Sequence, residues 1–243
     1  MTNSSDSAQA LAEDSVGLLE GLCSTRAIRR YTDDPVPSAA LRDILFAATR
    51  APSGSNRQPF RFLVLQDGPK ARAAKQLIAQ AAVALWRSKR QTDGYATGSG
   101  RSAASPKARM ARTMDCYVDH FASAPVLILP CFLRYREPQL IEGASIYPAV
   151  QNLLLAARAL GFGGVITGFH GAVSTQLHDL LQIPVDAEIA CTVTLGRPAG
   201  RHGPVRRRPL AELVFSEQWD EAAQWAIDPP GTRHTQAGPP RSG

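Results

Sequence analysis

Thr25-Arg26-Ala27-Ile28-Arg29-Arg30-Tyr31 sets three arginines within five residues and closes on an aromatic, and Asp33-Asp34-Pro35 follows at once. A guanidinium is permanently charged and presents a planar fork of donors that matches phosphate oxygens, so arginines this close suit a phosphate monoester. A solvated helix end is the competing reading; the tyrosine and the Asp-Asp-Pro break favour a structured corner. A helix's length downstream lies Ala51-Pro52-Ser53-Gly54-Ser55-Asn56-Arg57-Gln58-Pro59-Phe60. Two prolines and a glycine make it a turn, and its Ser, Asn and Gln side chains offer uncharged donors and acceptors. By itself this is a polar turn; the same groups suit the edge of a flat ring that alternates acceptors with N–H donors. A third basic stretch, Arg206-Arg207-Arg208-Pro209-Leu210, follows Gly196-Arg197-Pro198 and reads as surface solubility or as another phosphate contact.

Helices and strands must hold these stretches. Residues 16–23 read as a first helix. A second starts from a Ser38 N-cap and carries Leu41, Ile44, Leu45 and Ala48 at helical spacing until Pro52 and Gly54 end it. Residues 60–66 read as a strand and 71–89 as a helix. Residues 91–107, with three glycines, a proline and no apolar periodicity, read as a surface excursion or lid. Residues 108–121 read as a helix and 126–132 as a buried strand. Residues 142–160 are apolar on nearly every side, with Pro148 tolerable only in the first turn and Gly161 as the stop. Such a helix is covered by the chain's own sheet or by a second subunit. Strands at 165–167 and 189–195 flank a helix capped by Ser174 and stopped by Ile183-Pro184. Strands separated by helices make a layered α/β or α+β structure.

With 243 residues, 44% hydrophobic and 20% charged, the chain can bury a real core. The domain expected is 16–227, between a disordered N-terminus (1–15) and a disordered Pro/Gly/Ser-rich tail (228–243). No apolar run reaches membrane-spanning length, and the start lacks a secretory pattern, so no membrane and a cytoplasmic location are expected. Cys23, Cys116, Cys131 and Cys191 lie too far apart in sequence for a CxxC pair; they read as reduced, mostly buried thiols with no metal. The net charge of +6 gathers at 26–30 and 197–208 rather than along one helical stripe, so no nucleic-acid partner is expected. Dinucleotide-fold, P-loop, serine-hydrolase and zincin motifs are absent. The five histidines are scattered; His170, beside Gly168-Phe169, is the one placed to face a substrate cavity.

The ordered set of these motifs, over residues 18–215, resembles the FMN-dependent nitroreductase family. The family's phosphate-holding segment is matched at Arg26, Arg29 and Tyr31 and departs at Thr25 and Ala27. Its turn, Pro-Ser-small-x-Asn-x-Gln-Pro plus an aromatic, is matched at nearly every position, with Phe60 where Trp is common. Gly161-Phe162-Gly163-Gly164-Val165-Ile166-Thr167-Gly168 matches the glycine-flanked strand end that covers the flavin near N5. Arg207 matches a C-terminal phosphate contact, with Arg206 or Arg208 assisting because Val205 stands where Lys is often found.

The resemblance implies an α+β fold with a central, mainly antiparallel sheet flanked by helices in an intertwined homodimer. It implies FMN held by Arg26, Ala27, Arg29, Arg30, Pro52, Ser53, Gly54, Ser55, Asn56, Gln58, Ile166, Thr167, Gly168, Arg206, Arg207 and Arg208, the 26–30 segment from one subunit and the turn from the other. NADPH or NADH is then the co-substrate and a nitroaromatic or quinone the acceptor, by ping-pong transfer at flavin N5 with no protein nucleophile. Flavin fragmentation, reductive dehalogenation and FMN storage stand as alternatives.

Overall fold

A computed structural model describes residues 16–137 and 139–235. Its centre is the strand that the unbroken apolar run predicts. Val126–Leu133 is buried along almost its whole length, the pattern of a strand covered on both faces. Numbered along the chain, the strands are β1 (Phe60–Leu65), β2 (Val126–Leu133), β3 (Gly163–Thr167), β4 (Ala187–Ile189) and β5 (Thr192–Gly196). The helices are α1 (Leu18–Ser24), α2 (Ser38–Ala48), α3 (Pro69–Thr92), α4 (Pro106–Asp119), α5 (Tyr147–Ala159) and α6 (Ser174–Leu181).

The sheet runs β1-β2-β5-β3, with β4 also paired to β2, and every pairing between these five strands is antiparallel. Alternate β2 residues point to opposite faces. Val126 and Ile128 join Ile44 of α2 and Val150 and Leu153 of α5, while Leu127, Leu129 and Cys131 join Ala74 and Ile78 of α3, Tyr117 of α4 and Leu177 of α6. The fold is therefore α+β, an antiparallel sheet between two helical layers.

Four sequence expectations shift, each for a local reason. The strand expected over 189–195 is two strands broken at Ala190 and Cys191. Pro130 lies opposite, its carbonyl accepting from Ala190 N at 2.8 Å, and it has no N–H to return to the ladder. The helix expected from 142 begins at Tyr147, preceded by a 3-10 segment Leu140–Ser145, because Pro148 has no N–H to donate to the Ala144 carbonyl four residues back and fits only in a first turn. Ser38 and Ser174 are first helical residues rather than caps; Pro37 and Val173 hold the cap positions. Two of the four free cysteines are buried, Cys131 and Cys191, whose thiols burial pushes up to about 11 and about 12; Cys23 is exposed.

Within 91–107, α3 continues to Thr92, a 3-10 turn spans Gly98–Arg101, and Ser105 Oγ caps α4 by accepting from Ala108 N at 3.0 Å. Residues 1–15 and 236–243 lie outside the described residues. Of the expected tail, 228–235 is placed against the basic stretch: Asp228 Oδ2 accepts from Leu210 N and Thr235 N donates to the Arg207 carbonyl. Among the described residues no helix is long and apolar enough to cross a membrane.

Among the described residues, nothing closes the outer face of α5. A cavity of about 340 Å³ lies between α1, α2 and α5, lined by Leu18, Phe46, Ala47, Leu155, Ala156 and Ala159 among others, and Leu18, Leu19, Leu22 and Phe46 are exposed around it. So much exposed apolar surface in one place is unusual for a lone soluble domain.

Candidate functional site

Tyr31 fixes the Arg26 corner. Its hydroxyl lies 2.7 Å from the Ile28 carbonyl oxygen and 2.8 Å from Thr194 Oγ1, and the Tyr117 hydroxyl lies 2.8 Å from the same Oγ1. Thr194 is fully buried in β5. Burial raises the pKa of both tyrosines, while the Thr194 bond and the nearby Arg29 charge oppose the rise, so both stay neutral donors. The backbone completes the anchor: Ile28 N donates to the Gly164 carbonyl of β3, Thr32 N to Arg197 and Ala199 N to Arg30. The segment thus lies on the β3 edge and against the chain that leaves β5.

This docking needs bare backbone. A Cβ on Gly163 would stand 2.5 Å from Ile28 Cγ1, and one on Gly164 would stand 2.6 Å from the Thr194 carbonyl oxygen. Gly164→Ala should therefore cost about 1–3 kcal/mol and lower the melting temperature measured by circular dichroism; an unchanged melt would mean that the edge yields freely.

A groove of about 210 Å³ opens along the segment, lined by Arg26, Ala27, Ile28, Arg29, Arg30, Thr113, Gly200 and Arg201. Four arginines and, among the described residues, no carboxylate line it. Arg29 Nε is buried and has no hydrogen-bond partner, a group that costs about 1–3 kcal/mol left so. Farther along the same edge strand, Ile166 and, just past its end, Gly168 are exposed, and Thr167 Oγ1 is a second buried atom without a partner. The 26–30 and 166–168 groups therefore share one edge of the sheet.

The C-terminal arginines approach this corner by their backbone. Gly203 N and Val205 N donate to the Ser24 and Cys23 carbonyls, so the chain reaches Arg206 alongside the entry to Arg26. Arg208 pairs with Glu212, and Arg207 Nη1 donates to the Arg206 carbonyl.

The polar turn sits elsewhere. Gly54–Asn56 is a 3-10 turn in which Ser55, Asn56 and, just beyond, Gln58 all have φ near +50°. Three non-glycine residues in the left-handed region concentrate strain of the kind found at binding sites. Gln58 N donates to Ser53 Oγ at 2.9 Å and Gly54 N to Ser145 Oγ at 3.0 Å, which hold the turn, while Ser55, Asn56 and Gln58 are exposed. The turn leads into β1 at Phe60, paired with Phe132; the Arg26 segment meets β3 at Gly164, level with Leu195 and Val126. These are diagonal corners of the sheet, roughly 25 Å apart for strand spacings of about 4.8 Å and a rise of about 3.3 Å per residue.

Sequence reasoning missed Thr194, Tyr117, Ser145, Thr113 and Arg201. Thr194 left a trace, one of two threonines among the strand formers of β5; Ser145 left none, because its partner Gly54 is 91 positions away. His170 turns Nδ1 to Thr192 Oγ1 at 3.1 Å, and burial lowers its pKa. Among the described residues no group of His, Cys, Asp and Glu is arranged to hold a metal.

Comparison with known proteins supplies a context for this geometry. The model described as "Nitroreductase family" matches residues 23–197. The chain is 30% identical to a Thermus thermophilus protein named NADH dehydrogenase, over 78% of this chain and 91% of that protein. It is 28% identical to the 4-nitrobenzoate reductase of a Nocardioides species, over 81% and 87%, and 27% identical to the 5,6-dimethylbenzimidazole synthase of Rhodospirillum rubrum, over 77% and 82%. A Desulfovibrio desulfuricans protein crystallised with FMN superposes with a TM-score of 0.58 at 30% identity, covering 83% of this chain and 96% of that one.

Proposed function

Since the chain belongs to the nitroreductase family, we propose that it is an FMN-dependent oxidoreductase that takes electrons from NADPH or NADH and passes them to nitroaromatic or quinone-like acceptors. The observation that carries the reading is the pairing of two incomplete half-sites. One corner offers four arginines and two unpartnered buried polar atoms, Arg29 Nε and Thr167 Oγ1; the diagonal corner offers a strained, uncharged hydrogen-bonding turn. Neither completes a site for a phosphorylated flavin alone.

The residues fit FMN. Arg26, Ala27, Arg29 and Arg30, with Arg206, Arg207 and Arg208 behind them, hold the phosphate. Ile166, Thr167 and Gly168 line the ring along β3. Pro52, Ser53, Gly54, Ser55, Asn56 and Gln58 reach the ring edge from a second subunit, because the chain's own turn is too distant. The exposed Leu18, Leu19, Leu22 and Phe46 around α5 give such a homodimer its apolar contact. FMN, when bound, supplies the hydride chemistry. The chain would place it, keep one ring face open to the exchanging substrates, and set the turn's hydrogen-bond donors at the ring edge where negative charge would build. Its fixed donors near the ring need no reorganisation as that charge appears.

Anaerobic addition of NADPH to the yellow protein should bleach the 450 nm region that FMN gives, about stoichiometrically with flavin, and a nitroaromatic should restore the colour. A second reading, oxygen-dependent flavin fragmentation, draws on the dimethylbenzimidazole synthase relative. It requires irreversible loss of colour when the reduced protein meets air. Flavin that NADPH and NADH both fail to bleach would identify a storage protein and remove the reductase assignment.

A further inference from the structure

Beside the first groove opens a second basic one, with a volume of about 350 Å³. Its walls are Arg158 near the end of α5, Arg197, Gly200 and Arg201 in the loop after β5, and His202. The two grooves share Gly200 and Arg201, and among the described residues no carboxylate lines either.

The arginines of the second groove are loosely compensated. Arg197 Nε stands 3.8 Å from Asp34 and Arg158 Nη2 stands 4.0 Å from Glu20, both at the outer limit of ion pairing. Arg158 Nε is buried and lacks a hydrogen-bond partner. His202 is a wall rather than a charge: its Nδ1 accepts from Arg26 N at 3.4 Å, leaving Nε2, 3.2 Å from the Phe162 carbonyl oxygen, to carry the proton. Burial, and after it the Arg158 and Arg26 charges, lower its pKa. The flavin phosphate in the first groove leaves Arg158 and Arg197 unused.

We propose that the second groove receives the 2′-phosphate of NADPH, so that this enzyme selects NADPH over NADH. The inference rests on the flavin site proposed above. A nicotinamide stacked on the ring beside Ile166 and Gly168 leaves its adenosine half to run back along the β3 edge towards Gly163. At that end the second groove lies next to the first. The 2′-phosphate is the only group that distinguishes the two nucleotides, and a phosphate monoester dianion matches several converging guanidinium forks better than any neutral ribose hydroxyl does. Cationic walls without a carboxylate also raise the local concentration of such an anion.

The test compares the flavin-loaded wild type with Arg197→Gln and Arg158→Gln. Wild-type kcat/KM should favour NADPH by about tenfold or more. Arg197→Gln should lower the NADPH-to-NADH ratio roughly three- to tenfold through KM for NADPH, with NADH kinetics and flavin content unchanged; Arg158→Gln, whose side chain also borders the α1–α2–α5 cavity, should lower the ratio similarly. Calorimetry supplies a readout independent of turnover: 2′,5′-ADP should bind the wild type about tenfold more tightly than ADP, and the variants should lose that difference. Equal use of both nucleotides by the wild type overturns the proposal, as does an unaltered ratio in both variants with 2′,5′-ADP binding intact. Activity with NADH in either of these results leaves the reductase assignment standing; flavin reduction by neither nucleotide overturns both. Should Arg158→Gln fail to fold, the exposed Arg197 decides the matter.

Discussion

Arg29→Ala should purify nearly colourless. Arg29 is the arginine of the Arg26 corner most constrained by the fold. Its Nε is buried without a partner, and its charge is felt by both Tyr31 and Tyr117, whose hydroxyls meet on Thr194 Oγ1. A side chain held this way pays little conformational entropy when an anion arrives. A hydrogen bond to a charged group contributes about 1.5–3 kcal/mol, so the loss corresponds to roughly ten- to 150-fold weaker FMN binding. Titration of apoprotein with FMN, followed by flavin fluorescence, measures it directly. Arg29→Lys, which keeps the charge and loses the fork, should fall between the two. Arg26→Ala and Arg207→Ala should weaken retention less, because Arg26 is exposed and Arg207 already donates to the Arg206 carbonyl. An apo-protein melting temperature close to wild type separates lost binding from lost folding. Flavin retained at wild-type affinity by Arg29→Ala would remove the corner from the phosphate site.

Whatever depends on neighbours in sequence was legible before any coordinates. The run over 126–132 announced a buried strand, Gly161 marked the end of a helix whose start was expected five residues early, and the arginine-rich segment with its tyrosine announced a structured corner. Pairings across the sheet were not legible. Nothing near Ala190 tells that the chain there meets Pro130, so one strand was expected where the missing N–H makes two. Nothing near Gly54 points to Ser145 as the acceptor of its N–H. Arg201 looked like one more basic surface residue, yet the exit of the chain from β5 past Tyr31 and Arg30 puts it into the same groove as Arg29. The residue types at the candidate site were thus visible, while the distance between its two halves was not. That distance comes from strand order, which the periodicity of a single strand does not encode.

The distance also yields the sharpest expectation about assembly. Suppose one copy carries Arg29→Ala and another carries a disabled turn, Asn56→Ala with Gln58→Ala. Each variant alone puts a defect in every site, since every shared site takes one corner from each subunit. Co-expressed in equal amounts and assorted at random, half the dimers are mixed, and in a two-fold dimer the mixed pair holds one doubly defective site and one intact site. About a quarter of all sites should then bind FMN at wild-type affinity, from two parents that bind almost none. If both corners served a flavin within one chain, mixing would recover nothing, because no chain in the mixture is whole. The turn variants carry a further diagnostic. Asn56 and Gln58 both sit near φ +50°, and alanine tolerates that region less well than asparagine, so part of the parental defect is backbone relaxation. Asn56→Gly keeps the backbone and removes the side chain. It should recover the turn's shape without its donors, and binding that stays weak in Asn56→Gly assigns the loss to the amide group itself.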